Sequence, residues 1–578
     1  MGGLPAAATP DRAMKTILKL AAFLPLLSST ACAREDRRQA TPYRVENGMV
    51  VSQELRASKA GLAILRKGGN AVDAAIATAF ALAVTHPAAG NIGGGGFMVV
   101  MLADGTSTTF DFRERAPAAS RPDMFLDKDG KYDSARHHFS HLAVGVPGSV
   151  AGLQLAHQRL GKLPWRELVE PAVRLAARGF KVSPGLAADL AGRLKGFSRY
   201  PATLAQFSRE GEAYQAGDVL KQKELAETLE RIRDRGAAGF YQGKTAELLV
   251  AEMRRGGGLI NLEDLRNYRA IERKPIRGTF RGYDIISMPP PSSGGVALVE
   301  MLNLLEHNGI DKTSFRSPRE VHLLTEAMRR AYADRARHLA DTDFVPVPVE
   351  KLTSKKYARS LSATIHPRKA SRSSPTTFTW PVKGSETTHL SVVDSRRMSV
   401  ALTTTLEYSY GSRIVVPGAG FLLNNEMGDF NPRAGLTTEK GLIGTKPNLV
   451  APGKRMLSSM SPTIVAKAGA PVLVVGSPGG RTIINTVLGI IINHLVHGLP
   501  IQDAVDSPRL HHQWLPDKLL VEAGAITAAT RLALEKMGHA VEQRGGSQGS
   551  AMAISVGKDG KLEAGCDRRR PDSAAAGY

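Results

Sequence analysis

Thr387-Thr388-His389 opens an apolar, strand-like run, Leu390 to Val393, directly after a basic segment rich in Pro, Ser and Thr, Ile365 to Glu386. That juxtaposition marks a cut site. Breaking the Glu386–Thr387 bond would leave Thr387 with a free α-amino group. One residue would then supply both a nucleophilic hydroxyl and a base of pKa roughly 7.7–8.0. Taken alone, the three residues favour a plainer reading as the first strand of a second domain, because an N-terminal threonine is one nucleophile among many. Elsewhere, Arg113 offers a planar fork suited to a carboxylate, with Asp111 and Glu114 beside it as structural partners. Gly479 and Gly480 follow an apolar run and precede a helical pattern, so their N–H groups can approach a reacting oxygen with no Cβ in the way. Their plainer reading is a strand-to-helix turn.

A series of blocks changes the balance. After Thr387 come Thr403-Thr404-Thr405-Leu406-Glu407, Phe421 to Phe430 (with Asn424-Asn425-Glu426-Met427-Gly428-Asp429), Leu457-Ser458-Ser459-Met460-Ser461-Pro462-Thr463 and Gly476-Ser477-Pro478-Gly479-Gly480. Before it stand Gly93 to Phe97, Asp111 to Pro117 and Ser287 to Gly295. In this order and spacing, from about Val45 to Tyr578, the chain resembles the γ-glutamyltranspeptidase family of N-terminal-nucleophile hydrolases.

The resemblance implies an α+β fold, a four-layer αββα sandwich built from both chains of a cleaved precursor. Residues 1–33 would be a signal segment, 34–386 the large subunit and 387–578 the small catalytic subunit, the two forming a heterodimer. It implies autocleavage between Glu386 and Thr387, with Thr387 as catalytic nucleophile, Thr405 orienting its hydroxyl, and Gly479 and Gly480 supplying the oxyanion site. Arg113, Ser458 and Ser459 would hold a substrate α-carboxylate, and Asp429, Glu407 and Glu426 its α-ammonium. Two positions depart from a common form of the pattern: Glu407 replaces Asn and Glu426 replaces Gln, which bears on acceptor preference. The implied activity is a hydrolase/transferase acting on glutathione and other γ-glutamyl amides, with water, amino acids or peptides as acceptors and no metal or organic cofactor. The rivals are a glutaryl or cephalosporin-type acylase of the same fold and an uncleaved, inactive envelope-binding relative. Residues 431–454 match a mobile lid in length, or an ordinary surface loop.

Composition sets outer bounds. The 578 residues, 42% hydrophobic and 22% charged, suit an ordinary globular protein. The formal charge of +22 invites a nucleic-acid reading. The basic residues are scattered, however, and cluster only at Arg368-Lys369 with Arg372 and at Arg568 to Arg570. A solvated basic surface and no nucleic-acid partner is the expectation. Lys15 and Lys19, an apolar run from Leu20 to Leu27, and Ala31-Cys32-Ala33 form a secretory leader pattern. Export to a periplasm follows as an expectation, with cleavage before Arg34 or a lipid on Cys32. The two cysteines, Cys32 and Cys566, cannot build a disulfide framework.

The elements that must position these groups are legible in outline. Two helices are expected within Ser52 to Lys67 and Asn70 to His86, then a hairpin, Phe97 to Leu102 and Thr108 to Phe112, turning at Asp104-Gly105. The middle is helical. Strands are expected at Leu390 to Val393, Met398 to Thr404, Arg413 to Val416, Thr463 to Ala466 and Val472 to Val475, and an apolar helix from near Asn485 to His497. Gly545-Gly546-Ser547-Gln548-Gly549 matches G-x-S-x-G but precedes a strand, so it reads as a turn. His511-His512 would face opposite sides of a strand, unlike metal ligands.

Overall fold

Side-chain parity runs through the strand that follows the linker and through its neighbours. Leu390, Val392, Val400, Leu402, Met98, Val100 and Val50, all even-numbered, pack with the helices Leu55–Arg66, Ala71–Thr85, Ser149–Leu160 and Trp165–Arg178. Val393, Ala401, Phe97, Val99, Met49 and Val51, all odd-numbered, enter a second core shared with another sheet. Because a strand projects successive residues to opposite faces, Thr387, His389, Thr403 and Thr405 belong to this second side, between the sheets. Parity therefore sends the two threonines at the heart of the sequence argument the same way.

The protein is described by a computed structural model covering residues 43–374, 386–435, 438–439 and 444–578. The leader pattern and Cys32 lie outside the described residues, as do residues 375–385 of the linker and parts of the 431–454 segment. One seven-stranded sheet runs Ala574–Gly577, Met49–Ser52, Glu386–Val393, Ser399–Glu407, Gly95–Met101, Ser107–Phe112, Ile271–Arg273. The other, also of seven strands, runs Arg44–Val45, Leu562–Cys566, Met552–Val556, Ala470–Gly476, Thr463–Lys467, Tyr283–Ser287, Ile276–Phe280. Neighbouring strands within both are antiparallel. Gly294–His307 and Thr482–Ile491 pack on the second sheet, and Pro318–His338 packs on Gly294–His307. The result is the expected αββα order. Each sheet takes strands from both sides of the Glu386–Thr387 bond.

Local sequence explains the elements nearest the site. Ala71–Thr85 begins at a capping box in which Asn70 and Asp73 satisfy each other's backbone N–H, and every residue in it is buried. The hairpin turns at Asp104-Gly105, where Gly105 has φ +84° and the Asp104 carboxylate accepts from the Thr106 N–H at 2.9 Å. Two expectations need correcting. Arg413 to Val416 is not a strand: Tyr410, Gly411 and Arg413 all have positive φ, and only the single bridge Val415↔Leu422 forms there. The apolar helix begins at Thr482 rather than near Asn485 and passes into a wide π-type turn, Ile492–Val496.

The linker upstream of the undescribed residues is fastened to Pro318–His338. Glu326 accepts from the Ser371 N–H at 3.0 Å and the Ser371 hydroxyl at 2.5 Å, Arg329 donates to Ser373 Oγ at 2.7 Å, and the Ser373 N–H donates to Asp517 at 2.8 Å. Burial pushes the Glu326 carboxyl upward, but Arg329, Ser371 and Arg330 outweigh it and hold it down at about 2. A depressed carboxyl stabilises the fold above its unfolded value of 4.5, and that stabilisation is lost as pH falls toward 2. Glu326→Gln is therefore expected to cost about 3 kcal/mol at neutral pH. The gap to the unmodified protein should close between pH 4.5 and 2 in denaturant melts. A gap independent of pH would assign the loss to packing.

Candidate active site

Thr387 pairs with Thr405 across the two central strands, and their Oγ1 atoms lie 3.4 Å apart, long for a hydroxyl–hydroxyl bond and close enough to tighten. Thr405 Oγ1 also accepts the Glu407 N–H at 2.8 Å, which fixes its orientation. A register shift falls between Glu386 and Thr387, so the peptide bond in question sits where regular pairing breaks. His389, two residues on, is no base for Thr387. Its Nδ1 hydrogen-bonds Thr403 Oγ1 at 2.8 Å, burial lowers its pKa to about 3, and its ring packs where any side chain on Gly476 would stand.

Both threonines open onto a cavity of about 540 Å³. Of the residues singled out from the sequence, Arg113, Thr387, Thr405, Glu407, Glu426, Asp429, Ser458, Ser459 and Gly480 line it. Gly479 stands just behind Gly480 without lining the cavity, and of Glu386 only the backbone position, opposite Glu407, is described. Gly479 and Gly480 have φ of +129° and +56°, and a Cβ on Gly479 would strike Thr482 Oγ1. Neither glycine N–H donates to another group among the described residues, while their carbonyls accept the Thr482 and Ile483 N–H groups that start the helix. Two amide donors at a helix start are suited to a developing negative charge.

The charged wall differs from the sequence picture. Arg113, fully buried, does not pair its side chain with Asp111; that carboxylate instead accepts the Arg113 backbone N–H at 3.0 Å and engages Arg273 and Arg455. The Arg113 guanidinium donates to Glu426 and, at 2.5 Å, to Asp429, while its Nε reaches the Met456 carbonyl at 3.2 Å. Glu114 stands 3.6 Å away, and burial raises it to about 7 despite Arg113. Among the described residues, neither Glu114 oxygen nor Oε2 of Glu426 has a hydrogen-bond partner. Four carboxyls, counting Glu407, thus gather about Arg113, and burial raises Glu407 and Glu426 well above the ordinary carboxyl value. Ser458 Oγ accepts the Met460 N–H at 3.1 Å and Ser459 Oγ accepts from Arg335 at 2.9 Å, leaving both hydroxyl hydrogens to donate.

Sequence reasoning missed Arg335, Arg481, Tyr132, His137, His138 and Tyr408, all of which line the cavity. Arg335 reads in sequence as part of a basic helix face, yet it is buried and donates to Ser293 and Ser459. Arg481 directly follows Gly480, the one available signal. Burial, followed by Arg335, lowers it to about 10. The described ends of the 431–454 segment border the cavity through Asn431, Pro432 and Asn448. Among the described residues, metal-ligand types gather at His322, Glu326 and His539, within 4.8 Å of one another. Those rings hydrogen-bond each other at 2.8 Å, Glu326 is matched by Arg329 and Arg330, and the cluster lies outside the cavity. His511 and His512 likewise bond separately, to Asn485 and Asp517.

Comparison with known proteins gives a consistent answer. The gamma-glutamyltranspeptidase family pattern matches residues 57–577. The chain is 47% identical over 543 residues to the glutathione hydrolase proenzyme of Escherichia coli strain K12, covering 93% of each. Among solved structures, the cephalosporin acylase from Bacillus halodurans superposes with a TM-score of 0.82 at 26% identity, over 96% of this chain and 99% of that one. Helicobacter pylori gamma-glutamyltranspeptidase gives a TM-score of 0.54 at 45% identity, over 55% of this chain and 91% of that one.

Proposed function

The chain belongs to the gamma-glutamyltranspeptidase family, and from that premise we propose that it is a self-processing γ-glutamyl hydrolase/transferase with Thr387 as its nucleophile. The observation that carries this is the pairing of Thr387 with Thr405 at a cavity that is also lined by Arg113 and the carboxyls it engages, Glu426 and Asp429. In maturation, Thr387 Oγ1 attacks the Glu386 carbonyl. The acyl group passes from nitrogen to oxygen, which frees the Thr387 α-amino group, and water then hydrolyses the ester, restoring the Thr387 hydroxyl and leaving Glu386 as a carboxylate. In turnover, that amine takes the hydroxyl proton while Oγ1 attacks the γ-carbonyl of glutathione or a related amide. The Gly480 and Gly479 N–H groups stabilise the oxyanion, a contribution of about 2.7–4 kcal/mol per donor. The amine leaves with the proton, and water or an amino acid or peptide takes the γ-glutamyl group from the threonine ester.

Arg113 with the Ser458 and Ser459 hydroxyls receives the substrate's α-carboxylate, and Asp429, Glu407 and Glu426 receive its α-ammonium. The buried oxygens of Glu114 and Glu426 that have no hydrogen-bond partner among the described residues support this, since an ammonium brings three donors. The Thr387–Tyr578 fragment stays bound to the rest as a heterodimer, and the leader pattern supports export to the periplasm. A denaturing gel of purified protein tests the core of the reading. Two bands are expected, the smaller beginning at Thr387; a single full-length band with γ-glutamyl turnover would remove the N-terminal threonine from the mechanism.

Arg113→Lys tests the clamp separately. A point charge cannot reach Glu426, Asp429 and a substrate carboxylate with the geometry of a planar fork. KM on a γ-glutamyl anilide is expected to rise at least about tenfold with self-cleavage intact. Unchanged kinetics would take Arg113 out of the substrate site.

A further inference from the structure

The hydrogen bonds behind Glu407 have a direction. The Met427 carbonyl can only accept, so the His137 Nε2 that lies 2.9 Å from it donates. His137 is buried and neutral, its pKa lowered well below the ordinary value by burial, which leaves Nδ1 as an acceptor. The Tyr132 hydroxyl, 3.1 Å away, therefore donates to His137. Its oxygen is then the acceptor for His138 Nε2 at 3.3 Å. With Nε2 carrying its hydrogen, His138 Nδ1 meets the Glu407 carboxyl at 3.2 Å, and that contact needs one more proton, on Nδ1 or on Glu407.

We propose that His138 is the positioning residue of Glu407: the two share one proton, and the pair gives that proton up to solvent in exchange for the α-ammonium group of a γ-glutamyl substrate. This rests on the reading of Glu407 as part of the ammonium site. The exchange balances: the pair loses one proton, and the ammonium, with three N–H donors, gives one to the ionised Glu407 carboxylate and one to the His138 Nδ1 that the proton leaves bare, so the net charge of the pocket is unchanged and His138 still holds Glu407 in place.

Three features support it. The His138 ring is fixed by stacking on Tyr408, with centroids 5.1 Å apart and planes inclined by 10°. Gly428 covers the contact, and a Cβ there would strike both His138 Nδ1 and the Glu407 carboxyl. The groups facing Glu407 from the surrounding elements are Asp429, Arg113, Glu114, Glu426 and Arg481, with Tyr408 and Tyr132 beside them. Arg113 is already taken by Glu426 and Asp429, and Arg481 weighs less on Glu407 than burial and Asp429 do, so the carboxyl holds its proton until the ammonium arrives. Burial acts the same way, raising Glu407 and lowering His138 to about 4.

The test uses the processed full-length protein and two probes, L-glutamate and glutarate, which differ by the ammonium group. Calorimetric titration of L-glutamate in buffers of different ionisation heat should show a proton released on binding, and glutarate none. Asn places an amide atom where His138 has Nδ1, and Gln places one where it has Nε2. His138→Gln is therefore expected to raise KM for a γ-glutamyl anilide about tenfold with kcat changed less than about threefold, and His138→Asn to recover most of that loss. Equal damage from Asn and Gln would reduce His138 to a ring stacked on Tyr408. L-glutamate preferred over glutarate with no proton released would sink the proposal alone. Glutarate bound as tightly as L-glutamate would sink the ammonium reading and the proposal together.

Discussion

Thr387→Ala is expected to remain a single uncut chain with no γ-glutamyl turnover. Its side chain is almost wholly buried at the cavity edge and touches Thr405, so trimming it to alanine leaves the two-sheet core intact. What disappears, on the proposed mechanism, is the atom that attacks in both maturation and turnover. Losing such a nucleophile lowers kcat on the order of 10^5- to 10^6-fold, here to background because no free α-amino group forms either. Thr387→Ser keeps the hydroxyl and should still cut, more slowly, and turn over. Gel mobility, the mass of the smaller fragment and initial rates read all three outcomes. Cleavage of the alanine variant at the same bond would show that another group or another protein makes the cut.

The second large effect separates γ-glutamyl from glutaryl substrates, which differ by one α-ammonium. The glutaryl amide would leave the unmatched carboxyls of the Arg113 wall without a partner in a desolvated site, a loss on the order of 1–3 kcal/mol. Its kcat/KM should fall at least roughly tenfold below that of the matched γ-glutamyl amide. Asp429→Ala should narrow that gap by damaging the γ-glutamyl reaction, because Asp429 is the proposed ammonium acceptor and also holds one arm of Arg113. Comparable rates on the two amides would move the assignment to an acylase, in line with the fold shared with the Bacillus halodurans enzyme, and leave Thr387 in place.

The residues that were readable are those whose roles follow from one stretch of chain. Thr387 and Thr405 sit on period-two strands, and Gly479 and Gly480 sit at a strand-to-helix junction, so spacing alone restricts where they point. Arg113 was readable as a fork at a hairpin end with Glu114 beside it, but its two closest partners were not. Glu426 and Asp429 come from a turn more than 300 residues away, and local charges suggested Asp111 instead. Arg335 was hidden because a helix of many Arg and Glu residues looks solvated until another layer covers it. The Tyr132–His137–His138 chain gave no signal, since its meaning depends on which way each hydrogen bond runs. The false strand at Arg413 to Val416 shows the converse: an apolar run cannot reveal the left-handed residues that keep it from pairing.

The interleaving of strands from both sides of Glu386 has a consequence for durability. While the chain is continuous, refolding after a thermal excursion is a first-order event. After the cut, the same two sheets can be rebuilt only when separate polypeptides meet again, each exposing strand edges and apolar faces meanwhile. Heat resistance of the mature protein should therefore behave as a lifetime rather than an equilibrium, with recovery that worsens on dilution and depends on scan rate. The Thr387→Ala chain, identical in its core but unbroken, should regain its fold at dilutions where the mature protein does not.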